Sequence, residues 1–183
     1  MVFEDKLHDI IETLEKDNLL LAPIEFAWAI VFKNRSTAID QLLEDHKSFL
    51  DGTIYQMVST LQEVSNKFDR LHPRVDTLLL YHRRPLGIRY RAHGQICPEA
   101  ICIAFDPYAR KVLDLLGAPF YCVYIKAGNG LAGNYRDIHS KVISFSNYSA
   151  LHKRKENLAG IKPIVIENDE EGNLDFLYSS SRE

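Results

Sequence analysis

The stretch of sequence that decides the fold is AICIAFDPYARKVLDLLGAPFYCVYI, residues 100–125. Its short apolar run over residues 101–105 predicts a strand. Pro107 suits the first position of a helix, and apolar side chains then recur at helical spacing up to Gly117, a residue type that often ends helices. A second apolar run over residues 120–125 predicts another strand. This pattern is typical of a unit in which one helix connects two strands.

The same alternation of helix and strand patterns extends along the rest of the chain. We predict an amphipathic helix over residues 3–17, a helix capped by Ser36, and helical structure over residues 60–82 that is interrupted at Pro73. Short apolar or alternating runs predict strands at residues 18–24, 26–32, 53–59, 86–91, 141–145, 164–167 and 174–178. Because helices and strands interleave, we expect an α/β (α+β) fold with a mixed sheet and helices packed around it.

The composition predicts one globular domain over residues 1–183, because 46% of the residues are hydrophobic and 26% are charged. The formal net charge of −3 excludes attraction of the whole molecule to nucleic acid, so any anion must be bound by a local patch. Cys97, Cys102 and Cys122 lack paired spacing, which favours reduced thiols and a cytoplasmic protein and argues against a zinc site. No apolar run approaches the ~18 residues of a membrane-spanning helix.

A glycine-rich segment, GNGLAG at residues 128–133, matches the GxGxxG pattern of dinucleotide-binding loops and follows a predicted strand. Dinucleotide-binding folds carry this pattern in their first strand-to-helix turn, with an acidic residue ~20 positions later. Here the segment lies late in the chain, and residues 150–155 contain no acid. We interpret it as a flexible turn, and another kind of phosphate-binding loop stays open as the alternative.

Basic side chains gather around the strand predicted at residues 86–91. Arg89 and Arg91 alternate with apolar residues and should therefore point to the same face. Arg83, Arg84 and His93 lie near the ends of this strand. Guanidinium groups suit phosphate and carboxylate ligands, but a charged sheet edge in solvent would have the same sequence.

Other candidate residues give weaker signals. The basic run at residues 151–155 is typical of a solvated loop, with RNA contact as the alternative. Glu25 is a candidate pocket acid, although no second carboxylate accompanies it for acid–base chemistry. Trp28 fits a core position better than a base-stacking one. We find no catalytic triad and no Cys–His pairing, and we assign no catalytic residue.

The order of these segments resembles the YrdC-like family, whose active members are threonylcarbamoyl-AMP synthases that act in tRNA modification. The resemblance runs from about residue 7 to residue 178 and is one of layout and spacing. The stretches that carry it are residues 20–28, 81–85, 100–107 and 116–119. It implies a twisted mixed sheet with helices packed around it and a concave basic face. It also implies threonine, bicarbonate and ATP with magnesium as the substrates of active members, and an association with double-stranded RNA or tRNA.

The chain departs from the motifs of that family at most polar positions. Of the proline-threonine-aspartate-threonine signature only Pro23 remains, followed by Ile24, Glu25 and Phe26. The lysine-x-arginine pair is replaced by residues 46–48, in which only Lys47 could substitute, through a shift in register.

Three further motif positions have changed. An expected threonine is Gly87, and an expected arginine is Ala104. The serine-alanine-asparagine motif falls at residues 124–126, and a small shift in register there would align Lys126 or Asn129 with the asparagine.

These observations leave three hypotheses. In the first, the chain is a catalytically impaired YrdC-like protein that binds RNA or a nucleotide-like anion. The alternatives are a threonylcarbamoyl-AMP synthase with a rebuilt pocket, and a regulatory partner of a tRNA-modification protein that offers aromatic residues 120, 121 and 124 as its contact surface. The ligand-binding candidates are Pro23, Glu25, His46, Lys47, Arg84, Arg89, Arg91, Lys126 and Asn129.

Overall fold

A computed structural model describes residues 2–68, 70–81, 85–92, 95–96, 99–169 and 171–176. The helices are α1 (Val2–Glu15), α2 (Thr37–Asp45), α3 (Leu61–Ser65), α4 (Val75–Tyr81), α5 (Pro107–Leu116) and α6 (Ser140–Phe145), with 3-10 turns η1 (Tyr135–Asp137) and η2 (Leu151–Lys153). The strands are β1 (Leu20–Ile24), β2 (Ala27–Phe32), β3 (Ile54–Val58), β4 (Leu86–Ala92), β5 (Gln95–Ile96), β6 (Glu99–Ile103), β7 (Phe120–Tyr124), β8 (Lys126–Ala127), β9 (Gly130–Leu131), β10 (Tyr148–Ser149), β11 (Ile164–Asn168) and β12 (Leu174–Phe176). None of the described helices is both long enough and apolar enough to cross a membrane.

Ten of the described strands form one sheet in the order β10-β1-β2-β7-β3-β6-β4-β11-β12, with β5 paired to β4. The pairs β1–β10, β3–β6 and β4–β11 are parallel. The other neighbours, including β2–β7 and β3–β7, are antiparallel. Strands β8 and β9 form a separate antiparallel hairpin. The prediction of a mixed sheet with helices packed around it is therefore confirmed.

The sheet separates two layers of helices. Helices α1 and α5 pack on one face, which we call the α1/α5 face, and bury side chains such as Ala29, Cys102 and Cys122. On the opposite face, α2 and α6 cover β1, β2 and β7 around the buried Trp28. Helices α3 and α4 cover the part formed by β4, β6 and β11. We call the half under α2 and α6 the α2/α6 face.

Helix α5 begins and ends as its sequence predicted. The side chain of Asp106 accepts hydrogen bonds from the N–H groups of Tyr108 and Ala109, and Pro107 follows it at the start of the helix. Gly117 ends the helix in the left-handed conformation with φ of 63°. Because these end residues satisfy N–H and C=O groups that a helix leaves unpaired, they fix where the chain enters β7.

One predicted strand was wrong. Residues 141–145 lie in helix α6, whose N-terminus is capped by the His139 side chain accepting from the N–H of Lys141. The alternation of Val142 and Ser144 resembled a strand, but three-residue spacing places Val142 and Phe145 against the α2/α6 face. Packing against this face decides the conformation of a segment too short for its pattern to be unambiguous.

Candidate anion-binding site

The hairpin between β1 and β2 turns at Glu25, which adopts a left-handed backbone with φ of 56°. Its carboxylate oxygen Oε1 accepts the N–H of Phe105 at 2.8 Å and the N–H of Asp106 at 3.1 Å. Oε2 also accepts from Asp106, at 3.2 Å. Glu25 therefore fixes the hairpin to the segment that leads into α5.

Burial raises the pKa of Glu25 to about 7, although its hydrogen bonds to the two backbone N–H groups act in the opposite direction. A carboxyl group with that pKa changes charge near neutral pH, as a general base would. Both of its oxygens, however, already accept backbone hydrogen bonds. The predicted pocket acid is thus engaged within the protein.

Two buried tyrosines fill the α1/α5 face beside Glu25. The rings of Tyr55 and Tyr124 lie with their centroids 5.1 Å apart, and the two residues are 0% and 2% exposed. Burial raises the pKa of both hydroxyl groups well above the ordinary value. A Cβ at Gly87 would lie 3.0 Å from the Cβ of Ala100, so the backbone of β4 also packs tightly here. We call the side chains of Tyr55, Tyr124, Cys102 and Cys122 the tyrosine floor.

Two of the three aromatic residues predicted as a protein-contact surface lie in the core. Phe120 and Tyr124 are buried, and Tyr121 stacks on Phe32 with ring centroids 5.7 Å apart. A partner could not reach the two buried rings without opening the core.

A polar group borders the tyrosine floor, and sequence analysis missed most of it. Arg89 donates from its NH2 nitrogen to Thr53 Oγ1 at 3.3 Å. The Lys162 ammonium lies 2.8 Å from Asp51 Oδ1, and the Tyr55 hydroxyl donates to Asp51 Oδ2 at 3.3 Å. We call Asp51, Thr53, Arg89 and Lys162 the Arg89 cluster.

The guanidinium of Arg89 is incompletely satisfied. Its Nε atom is buried and has no hydrogen-bond acceptor among the residues that the structure describes. The two-residue spacing of Asp51, Thr53 and Tyr55 was the available signal for this cluster, since such residues share one side of an extended chain. Lys162 had no such signal, because it is distant in sequence.

The other predicted ligand residues lie apart from the Arg89 cluster. Pro23 is buried opposite Trp28 in the β1–β2 pair. His46 ends α2, its Nδ1 lies 3.0 Å from the carbonyl oxygen of Leu42, and its ring contacts Phe145 with centroids 4.5 Å apart. These contacts place His46 on the α2/α6 side, whereas Glu25 and Arg89 belong to the α1/α5 side.

Two other predicted ligand residues, Lys47 and Lys126, lie close together. The Lys126 ammonium donates to the carbonyl oxygen of Lys47 at 3.3 Å, while the Lys47 side chain pairs with Glu44. Asn129 is exposed in the turn between β8 and β9. Arg84 lies outside the described residues. Arg91 belongs to β4, but its side chain is not among those described.

The glycine-rich segment forms the β8–β9 turn and the chain that follows it, so its interpretation as a turn is confirmed. Gly133 is required by packing, because a Cβ there would lie 2.4 Å from the carbonyl oxygen of Leu158. Gly160 approaches from the other side with φ of 64°, and its Cβ would lie 2.5 Å from the carbonyl oxygen of Leu131. These glycines hold two chain segments in close contact.

Comparisons with solved structures identify the fold. YciO from E. coli matches with a TM-score of 0.71 at 12% sequence identity, over 97% of this chain and 90% of that chain. P. abyssi Sua5 complexed with L-threonine matches with a TM-score of 0.67 at 11% identity, over 88% of this chain and 50% of Sua5. Full-length HypF in its phosphate- and nucleotide-bound form matches with a TM-score of 0.65 at 13% identity, over 89% of this chain and 27% of HypF.

This chain therefore spans nearly all of YciO, half of Sua5 and about a quarter of HypF. No family model and no curated protein sequence matches the chain. At these identities the likeness is one of fold. The chain has the YrdC-like fold that it shares with YciO and Sua5, as its resemblance to that family predicted.

Proposed function

We propose that this chain is a noncatalytic protein of the YrdC-like fold that binds RNA or a nucleotide-like anion at the Arg89 cluster. The observation that carries the proposal is the buried Nε of Arg89, which has no acceptor among the described residues. A buried donor without an acceptor calls for an explanation such as an ordered water, an ion or a ligand, and Arg89 Nε differs from Trp28 Nε1, another such N–H donor among the described residues, in belonging to a cation. A guanidinium group is suited to phosphate, since its N–H donors form a planar fork.

Two further observations support the proposal. HypF, of which 27% matches this chain, has been solved in a phosphate- and nucleotide-bound form, which supports an anion of that kind as a ligand here. The tyrosine floor carries phenol and thiol groups whose pKa values are raised by burial. Such groups are protonated at neutral pH and serve poorly as nucleophiles or bases.

Binding measurements on Arg89 variants test the proposal. We expect Arg89→Ala to weaken binding of a short RNA duplex, tRNA or ATP by about 10–100-fold, because a hydrogen bond to a charged group contributes ~1.5–3 kcal/mol. The affinity of Arg89→Lys should lie between those of Arg89→Ala and the wild type, since lysine keeps the charge but lacks the planar fork of N–H donors. Arg74→Ala is the matched control, because Arg74 is exposed and its loss changes the net charge equally.

Unchanged affinity of Arg89→Ala for all three ligands would rule out the Arg89 cluster as the site. The noncatalytic part has its own assay, in which the protein is incubated with ATP, magnesium, threonine and bicarbonate. We expect no pyrophosphate release above that of a boiled sample. Release that depends on threonine would overturn this part and favour the synthase alternative.

A further inference from the structure

A second basic feature lies between η1 and the chain after η2. A cavity of about 440 Å³ is lined there by Asn134, Tyr135, Arg136, Arg154, Lys155 and Asn157. Three of its six lining side chains are cations, two are amides, one is a tyrosine, and none is an acid. We call it the basic cavity. It contains part of the basic run that sequence analysis had interpreted as a solvated loop.

The cations of the basic cavity are available to a ligand. Arg154 and Lys155 are exposed and form no ion pair with any residue that the structure describes. Arg136 is 83% exposed at its side chain and lies 3.9 Å from Asp137, the outer limit of an ion pair. Asp137 also accepts a hydrogen bond from Nδ2 of Asn134 at 3.0 Å, and Glu156, which follows Lys155 in the other wall, is paired with Lys153. The cavity therefore carries a net positive charge that its own walls do not neutralise.

The backbone keeps the two walls of the cavity in place. Leu158 donates its N–H to the carbonyl oxygen of Gly133 at 2.9 Å, directly beside residues 134–136 and 154–157. This contact depends on Gly133, whose Cβ position is occupied by the carbonyl of Leu158. The glycine-rich segment thus sets the distance between the two basic walls.

One wall also presents a rigid aromatic ring. Tyr135 packs edge-on against the buried Trp28, with ring centroids 5.3 Å apart and an interplanar angle of 68°. Because Trp28 belongs to the core of the α2/α6 face, Tyr135 is anchored there, while Arg89 lies on the other face. An aromatic ring held beside several cations is the usual combination in proteins that bind single-stranded nucleic acid.

We propose that the basic cavity binds the phosphodiester backbone of a single-stranded nucleic acid. Arg136, Arg154 and Lys155 contact the phosphates, the amide of Asn157 serves as an additional polar partner, and Tyr135 lies against a base. A chain suits the site better than a small ligand does, because the cations extend into solvent around an open cavity. The inference takes its class of ligand from the proposed function but concerns a separate site.

The experiment measures binding of fluorescein-labelled 12-nucleotide oligouridine by anisotropy over a range of salt concentrations. We expect the double variant Arg154→Ala/Lys155→Ala to bind more weakly, and its plot of log K against log salt to be less steep by about 1.4, since each lost phosphate contact removes about 0.7 on single strands. The control is Lys67→Ala/Arg74→Ala, which removes two exposed cations elsewhere. It should match the wild type in affinity and slope.

The outcomes separate the two sites and the two sources of phosphodiester. Loss of binding in the cavity variant, with normal binding in Arg89→Ala, supports the inference and counts against the Arg89 cluster. Normal binding by the cavity variant, with loss of binding in Arg89→Ala, would support the Arg89 cluster and overturn the inference. A cavity variant whose binding has the same salt dependence as the wild type would overturn it as well. A 12-nucleotide oligodeoxyuridine distinguishes RNA from DNA as the ligand. Equal affinity for oligouridine and oligodeoxyuridine would assign the site to single strands of either kind.

Discussion

The tyrosine floor and the basic cavity differ in burial, in charge and in the elements that form them. The floor is built from strand residues, is buried and uncharged, and leaves little room beside Tyr55 and Tyr124. The cavity is built from turns, is exposed, and gathers three cations. The difference indicates that the sheet face at the floor is a packing surface, whereas the exposed cations of the cavity lie on connecting segments. Side chains on loops are freer to serve a ligand than those on buried strands, because fewer buried contacts depend on them.

The largest effect expected from this comparison concerns the floor. Tyr55→Ala or Tyr124→Ala should lower the free energy of unfolding by about 3–5 kcal/mol, because each leaves a cavity where an aromatic ring was buried. Urea unfolding followed by circular dichroism measures it. Tyr81→Ala is the control, since Tyr81 is 79% exposed and should cost little. Equal small losses in all three variants would mean that the floor is not a packing surface.

The next effect concerns the pH dependence that Glu25 confers. Its pKa of about 7 lies above that of a carboxyl in an unfolded chain, so folding retains a proton that the unfolded chain releases. The free energy of unfolding should therefore fall as the pH rises from about 4.5 to 7, by ~3 kcal/mol in total.

Glu25→Gln keeps an acceptor for the backbone N–H groups and removes the titration. The test compares the unfolding of wild type and variant from pH 4.5 to 8. The stability difference between the two proteins should change across that window, in favour of the variant at high pH. Parallel pH profiles would contradict the assignment. Glu25→Gly separately removes the cost of the left-handed backbone.

The smallest effect links the glycine-rich segment to the basic cavity. Gly133→Ala places a Cβ against the carbonyl of Leu158 and should cost about 1–3 kcal/mol, as overpacking does. It should also weaken oligouridine binding, because the walls must separate. Gly130→Ala is the matched control, since its Cβ would lie 3.4 Å from the nearest backbone oxygen. A stable Gly133→Ala protein with normal oligouridine binding would show that Gly133 does not set the spacing of the cavity walls.

The sequence predicted those features whose causes are local. The start of α5 at Pro107, its end at Gly117 and the turn within residues 128–133 depend on neighbouring residues, and each is present. Helix α6 was misassigned because six residues hold too little periodicity to distinguish helix from strand. Its conformation depends on contacts with other elements.

The candidate site was harder to predict for the same reason. Arg89 was identified from alternation along one strand, but the other members of its cluster come from two other parts of the chain, Asp51 and Thr53 from one and Lys162 from the other. The basic cavity joins residues 134–136 to residues 154–157 through a glycine contact that sequence spacing does not reveal. Only the fold brings these groups together.

The position of β1 has a consequence for how the protein is made. Leu19, the residue before this strand, donates its N–H to the side chain of Asn147, which follows it by 128 residues. One edge of the sheet therefore joins an early part of the chain to a late one. Contacts of such high sequence separation slow folding, because a long loop must close before they form. On the ribosome, β1 and β2 can pair with each other early, but their outer edges must wait for β10 and β7 to emerge. Until then these apolar strands expose unpaired edges, which favour aggregation.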